Sequence, residues 1–344
     1  MSPWVSAPAP DRGGAQRWPA PRPGSRDPRG GPLLRRAPSR FGVLESLVRD
    51  PDVSDVLVNG PNEVWVDSGN GLQRTHLRIG DELELRRLAQ SLVSDSGRRL
   101  DDSQPWADAL VDGNVRVHAV LPPLSSPGTC LSLRIHSTRP RSLEMLVSDQ
   151  TVPEEAAHVL RGVVAGAASF VVTGATGAGK TTLLQAMLAL VPETERVVLV
   201  EEAPELAPDH VHVVGLSTRA ANVEGSGGVT LRELVRQALR MRPDRLVLGE
   251  ARGAEVLDLL AAMNTGHSGA LTLHCASASE APSRFLALGA LAGLSPDSVD
   301  RLVSCSVDVV VHIARGDHGR RRVVEISRLR SGGAGPEMSA VWRA

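Results

Sequence analysis

The chain nearly dispenses with lysine: of 38 basic residues, only Lys180 is not an arginine. A compact ammonium on a flexible stem does what a planar guanidinium cannot, so its retention marks a position that needs that shape. Tyrosine is absent and aromatic residues make up 2% of the 344 positions, too few to build the stacking platforms of a single-strand nucleic-acid binder. Three dispersed cysteines (Cys130, Cys275 and Cys305) form no CxxC pair and no disulfide framework, which points to a reducing compartment. No apolar run approaches the roughly 20 residues of a membrane span, and the N-terminus lacks an apolar signal core. The expectation is a soluble protein on the cytoplasmic side. With 42% apolar residues the chain has enough to bury a core, and its length suggests about two domains.

Composition divides the chain. Residues 1–40 hold nine prolines, five glycines and eight arginines against two acids, so they are expected to be a disordered tail with a net charge of +6. The rest then carries −7, which disfavours direct nucleic-acid binding. Such a basic tail suits anionic lipid or an acidic partner, or is simply solvated. Residues 41–136 read as a small α+β domain, with strands at 53–58, 64–66, 115–121 and 131–135 and an amphipathic helix over 82–93. Residues 137–153 read as a linker. Strand and helix then alternate over residues 154–330, the pattern of a mostly parallel α/β sheet, and 331–344 reads as a tail.

Directly after the apolar strand 169–173 comes Gly174-Ala175-Thr176-Gly177-Ala178-Gly179-Lys180-Thr181-Thr182, which fits GxxxxGK[ST]. The glycines let backbone N–H groups close on phosphate, and the helix that follows presents its positive end. Lys180 is placed to reach the β- and γ-phosphates of ATP, and Thr181 to give an oxygen to Mg²⁺. Hydrolysis needs further carboxylates. The strand Arg245-Leu-Val-Leu-Gly-Glu250 ends in one. Glu201-Glu202-Ala-Pro-Glu205 follows another strand, so acids gather at the carboxyl edge of the sheet, where ligands bind in this architecture. His267 and His274 bracket a further strand. Their separation is poor for zinc, and His274 suits a phosphate or carboxylate contact better.

Together, Gly-Ala-Thr-Gly-Ala-Gly-Lys-Thr, Glu-Glu-Ala-Pro-Glu-Leu, Leu-Arg-Met-Arg-Pro-Asp-Arg-Leu-Val-Leu-Gly-Glu-Ala-Arg and Thr-Gly-His-Ser-Gly-Ala-Leu-Thr-Leu-His resemble the blocks of the type II/type IV secretion ATPase superfamily. Asp112-Gly-Asn-Val-Arg116-Val-His-Ala-Val-Leu-Pro-Pro and Leu-Ser-Leu-Arg134 resemble its tight-adherence (Tad/Flp) pilus branch, the CpaF type. The resemblance implies a RecA-like P-loop NTPase domain behind a smaller N-terminal domain, assembled as a homohexameric ring with ATP between the two domains. It implies that Glu205 activates water, Glu250 reaches Mg²⁺ through water, His274 senses phosphate, and Arg116, Arg134 and Arg240 contact phosphate, some across a subunit boundary. The implied place is peripheral, at the inner face of the cytoplasmic membrane, working with platform proteins of a pilus or secretion machine. The alternatives are a conjugation-type translocation ATPase and a nucleotide-dependent regulatory module with little turnover. Glu202 stands where the family has Asp, and the four-cysteine zinc module of the type II branch is absent.

Overall fold

A computed structural model describes residues 39–344 except 70, 95, 137–139, 220–225, 317–318 and 333–334. The disorder expected of residues 1–40 falls on 1–38, outside the described residues.

The first sheet is antiparallel throughout. It comprises β1 (Asp55–Asn59), β2 (Val64–Asp67), β3 (Leu72–Arg74), β4 (Trp106–Val111), β5 (Val115–Val120) and β6 (Cys130–Ile135), in the order β3-β2-β1-β6-β5-β4. A short helix α1 (Glu45–Val48) precedes it, and α2 (Glu82–Ser94) covers one face with Leu85, Ala89, Leu92 and Val93. Alternation decides which residues face away. On β5, Val115, Val117 and Ala119 are buried and Arg116 is turned outward; on β6, Leu131 and Leu133 are buried and Arg134 is turned outward. The register sets Arg116 directly opposite Arg134, and Arg134 opposite Asp55 on β1.

The second sheet has eight strands. Helices α3 (Leu143–Ser148) and α4 (Glu154–Ala165) come before β7 (Phe170–Gly174), α5 (Lys180–Leu188), β8 (Val197–Glu201), β9 (Val213–Ser217) and α6 (Leu231–Ala238). Then follow β10 (Arg245–Leu248), α7 (Glu255–Asn264), β11 (Ser268–His274), α8 (Ala281–Leu291), α9 (Pro296–Ser306), β12 (Val309–Arg315), β13 (Arg321–Gly332) and β14 (Gly335–Arg343). The order is β14-β13-β12-β7-β11-β10-β8-β9, parallel from β12 to β9 and antiparallel at the β13 and β14 end. Central strands run apolar on both faces because helices lie on both. Val172, Leu199 and Val247 pack toward α3, α4 and α5, whereas Val171, Val198 and Leu246 pack toward α6, α7, α8 and α9. Among the described residues no helix is long and apolar enough to cross a membrane.

Two segments differ from their reading in the sequence. The stretch 137–153, read as a linker, carries α3, capped by the Ser142 side chain, with Leu143 and Leu146 buried in the core of the large sheet. Six residues are too few to show helical periodicity, so only packing reveals the helix. Residues 331–344, read as a tail, include the end of β13 and all of β14, which pairs with β13 from Glu325 to Gly332. β14 lies at the edge of the sheet with none of its residues fully buried, so it lacks the continuous apolar run that marks a central strand. The helix α4 and the strands β3 and β4 were also not evident from sequence. Leu146→Ala is expected to lower stability by about 3 kcal/mol in urea unfolding, the cost of emptying a fully packed leucine site. A loss under 1 kcal/mol would return the segment to linker status.

Candidate nucleotide site

β7 ends at Gly174, and the loop after it opens α5. A Cβ at Gly174 would lie 2.3 Å from the Ile313 carbonyl oxygen, so only glycine lets the loop pass this close to β12. Gly179 caps α5 at φ +101°, in the left-handed region, and no side chain caps the helix. Ala175, Thr176, Gly177 and Ala178 form the loop between, with Thr181 and Thr182 in the first helical turn. First-turn N–H groups therefore remain for a ligand, at the positive end of the helix dipole.

Lys180 is buried, and its three protons have three acceptors: Gly174 O at 3.1 Å, Ala175 O at 3.0 Å and His274 Nδ1 at 3.3 Å. With Nδ1 accepting, His274 carries its proton on Nε2 and donates it to Glu250 Oε1. Burial and the Lys180 ammonium hold His274 below the ordinary histidine range, so the imidazole is neutral at pH 7. Burial likewise lowers Lys180, with Glu250 opposing. On its other oxygen Glu250 accepts from Arg252 Nε at 2.7 Å, and Arg252 Nη1 reaches Glu202 Oε2 at 2.7 Å. Burial weakens the Arg252 charge, but Glu250 and Glu202 prevail and hold it above the usual arginine value. A continuous polar chain thus runs Lys180–His274–Glu250–Arg252–Glu202 across the carboxyl edge of the sheet.

Glu205 closes the other side. Its carboxylate lies 3.9 Å from Nη1 of Arg116, on β5 of the antiparallel sheet, and 3.7 Å from Nε2 of His136, just after β6. Burial, with Arg134 and Arg116 adding to it, lowers His136 against the pull of Glu205, so Arg116 supplies the positive charge here. Arg134 pairs instead with Asp55 at 3.1 Å. Arg240 lies exposed after α6 and donates to the Arg236 carbonyl at 3.1 Å; among the described residues neither arginine bonds to the acid cluster. His267 faces the Ala262 carbonyl at 3.3 Å, an ordinary turn contact.

Glu201 is buried at the end of β8, where Oε1 accepts from the N–H groups of Glu205 (3.1 Å) and Leu206 (3.0 Å). Burial pushes its carboxyl up to about 7. The native state then holds a proton that the unfolded chain releases near pH 4.5, so this group's stabilisation is complete below pH 4.5 and is lost as pH rises through 7. Glu201→Gln keeps an oxygen for both N–H groups and has no charge to bury. Its stability relative to the parent chain is expected to grow between pH 5 and 8, by at most about 3 kcal/mol, in urea titrations at each pH. A difference independent of pH would show that the carboxyl is not raised.

The residues suit a nucleoside triphosphate with a hard divalent cation. The loop offers backbone N–H groups and one ammonium to phosphates, while Thr181 and Glu250 offer oxygens to Mg²⁺. Among the described residues no group of three or more His, Cys, Asp or Glu could cage a metal, which fits a cation held mostly by phosphate and water.

The family model described as type II/IV secretion system protein matches residues 39–334. The chain belongs to this family. A putative conjugal transfer protein of Mycobacterium tuberculosis (strain H37Rv) is 51% identical over 310 residues, covering 88% of each chain. The type IV secretion system protein PtlH of Bordetella pertussis is 33% identical, covering 83% of this chain and 92% of its own. The X-ray structure of the Legionella pneumophila ATPase DotB shares the fold, with a TM-score of 0.58 at 21% identity over 83% of this chain and 79% of that one. For this member of the family, sequence reasoning missed His136, Arg252 and the raised carboxyl of Glu201. Arg252 closes the quoted block that ends Gly-Glu250-Ala-Arg252. His136 had no motif to flag it, because its relation to Glu205 exists only across two sheets.

Proposed function

We propose that this secretion-family protein hydrolyses ATP and works as a homohexameric motor at the inner face of the membrane, in a pilus-assembly or secretion machine of the Tad/Flp type. The observation that carries the reading is the junction at Glu205. One sheet supplies the P-loop and the acids, the other supplies Arg116 and, just after β6, His136, and the two meet on the carboxylate assigned to water activation. In this reading Lys180 and the loop N–H groups bind the phosphates, and Glu205 takes the proton of the attacking water. His274 and Arg252 hold Glu250 in place from opposite oxygens. Thr181 and, through water, Glu250 would hold Mg²⁺, which when bound would neutralise phosphate charge. Arg116 is drawn from Glu205 toward phosphate charge, so nucleotide occupancy becomes relative motion of the two sheets. Arg134 and Arg240 then serve a neighbouring subunit's site, since neither reaches the site of its own chain.

A conjugation-type role is the second reading, favoured by the name of the Mycobacterium tuberculosis relative at 51% identity. In either case the charge of −7 outside the basic tail favours protein partners over direct DNA contact. The test is phosphate release by the full chain with Mg–ATP, alone and with the membrane platform protein that co-purifies with it. Low basal turnover that rises with that protein supports the motor. Nucleotide binding with no turnover in either condition supports a regulatory module instead.

A further inference from the structure

β12 is apolar where it crosses the core, except at one place. In the buried run Val309–Ile313, His312 stands between Val311 and Ile313 and is itself only 5% exposed. Burying a polar ring costs free energy unless it is hydrogen-bonded, and a valine would continue the strand without that cost. The bonds of His312 lead toward the nucleotide site from two sides.

The register sets His312 opposite Thr173, the residue before Gly174, where the phosphate loop begins. Thr173 is fully buried, and its hydroxyl meets His312 Nδ1 at 2.9 Å. Ala276, two residues beyond His274, is the second partner. Its backbone hydrogen bond favours the protonated ring, so the ring donates and the carbonyl accepts. Burial outweighs that bond and the carboxylates of Glu325 and Glu280, and holds His312 below the ordinary histidine range. The neutral ring therefore carries its proton on Nε2, toward Ala276, and takes the Thr173 hydroxyl proton on Nδ1.

Ala276 is held at its other end too, where its N–H donates to Glu280 Oε2 at 2.9 Å. β11 ends at His274, so these bonds fix the chain as it leaves the sheet. His274 in turn faces Gly174 across the ladder and meets Lys180 at 3.3 Å. Thr176, His274, Ala276 and Glu280 line one open cleft of about 640 Å³, so packing does not hold His274 from that side. We propose that His312 is a positioning residue for ATP hydrolysis. It ties the root of the phosphate loop, at Thr173, to the segment behind His274, at Ala276, and so keeps His274 seated between Lys180 and Glu250. This inference rests on the ATP-hydrolysing reading. His312 acts through His274 and touches no reacting atom.

The experiment compares steady-state phosphate release, ADP affinity and hydrogen exchange in the full chain. Asparagine in place of His312 sets a polar atom where Nδ1 stands, and glutamine sets one where Nε2 stands, so each keeps one tie and drops the other. His312→Asn and His312→Gln are each expected to lower kcat about tenfold, the scale of one lost hydrogen bond. ADP affinity stays within about twofold of the parent chain, since the loop N–H groups and Lys180 remain. Thr173→Val, which drops the hydroxyl alone, gives the same loss and adds nothing in the His312→Gln background, where that tie is already broken. Thr173→Ser keeps the hydroxyl and most of the rate. Without nucleotide, amide exchange over 275–280 is faster in His312→Asn than in the parent chain. A lower melting temperature with kcat unchanged in both His312 variants would reduce the residue to core packing. Losses that multiply in the double variant, or a fall in ADP affinity matching the fall in kcat, would equally overturn the proposal. If the unmodified chain binds nucleotide but releases no phosphate, the ATPase reading falls and exchange over 275–280 decides the rest. Faster exchange in His312→Asn keeps the tie, and unchanged exchange removes it.

Discussion

Lys180→Ala is expected to weaken ATP binding about a hundredfold and to abolish turnover. The ammonium is buried and holds three contacts at once, two loop carbonyls and the His274 ring. Phosphate oxygens compete for the same protons, and each charge-assisted hydrogen bond contributes about 1.5–3 kcal/mol, so one alone approaches the predicted factor. The loss also reaches the acids. Without the ammonium at Nδ1, nothing fixes the His274 tautomer, and the donation from Nε2 to Glu250 is no longer enforced. Lys180→Arg is expected to fail as well, because a planar fork does not fit where a point charge bonds two successive carbonyls. Calorimetric titration with ATP checks both variants, and near-normal affinity in both would remove the P-loop assignment.

Glu205→Gln is expected to bind ATP normally and to lose turnover by about 10²–10⁴, the range for removing a positioned general base. The amide keeps the size of the side chain but cannot take a proton from water. It also loses the charge that faces Arg116 at 3.9 Å. Arg116→Ala is expected to slow turnover by a different route, leaving Glu205 with only the neutral His136 nearby. Because Arg116 and Glu205 meet within one chain, mixing these two variants should give no more than their separate activities. Mixing Glu205→Gln with Arg134→Ala is the opposite case, since Arg134 is held by Asp55 of its own chain and reaches no acid of its own site. Activity recovered in that mixture, read by phosphate release with light scattering, places Arg134 at a neighbour's site. A monomer with full activity would exclude any shared site.

The sequence by itself determined the parts of this protein that depend on local chemistry. The P-loop was legible because glycine, lysine and threonine must occur at fixed spacing next to a strand and a helix to wrap phosphate. Central strands such as β8 were legible because burial on both faces makes Val197–Val200 an unbroken apolar run before Glu201. Helix α6, with Leu234, Val235 and Ala238 on one face, and α9, with the Ser295 cap before Pro296, rest on local signals of the same kind. Tertiary structure decided everything that depends on distant segments meeting. Helix α3 exists because Leu143 and Leu146 find a core to fill, and β14 exists because β13 offers it a ladder. His136 joins Glu205, Arg252 bridges Glu202 and Glu250, and His312 bonds Thr173, each across a gap that no local pattern records. Arg134 and Arg116 read alike in sequence, yet the register gives one an aspartate on β1 and the other a carboxylate from the neighbouring sheet. Backbone spacing fixes which residues can hold phosphate, but the packing of two sheets fixes which charges stand beside it.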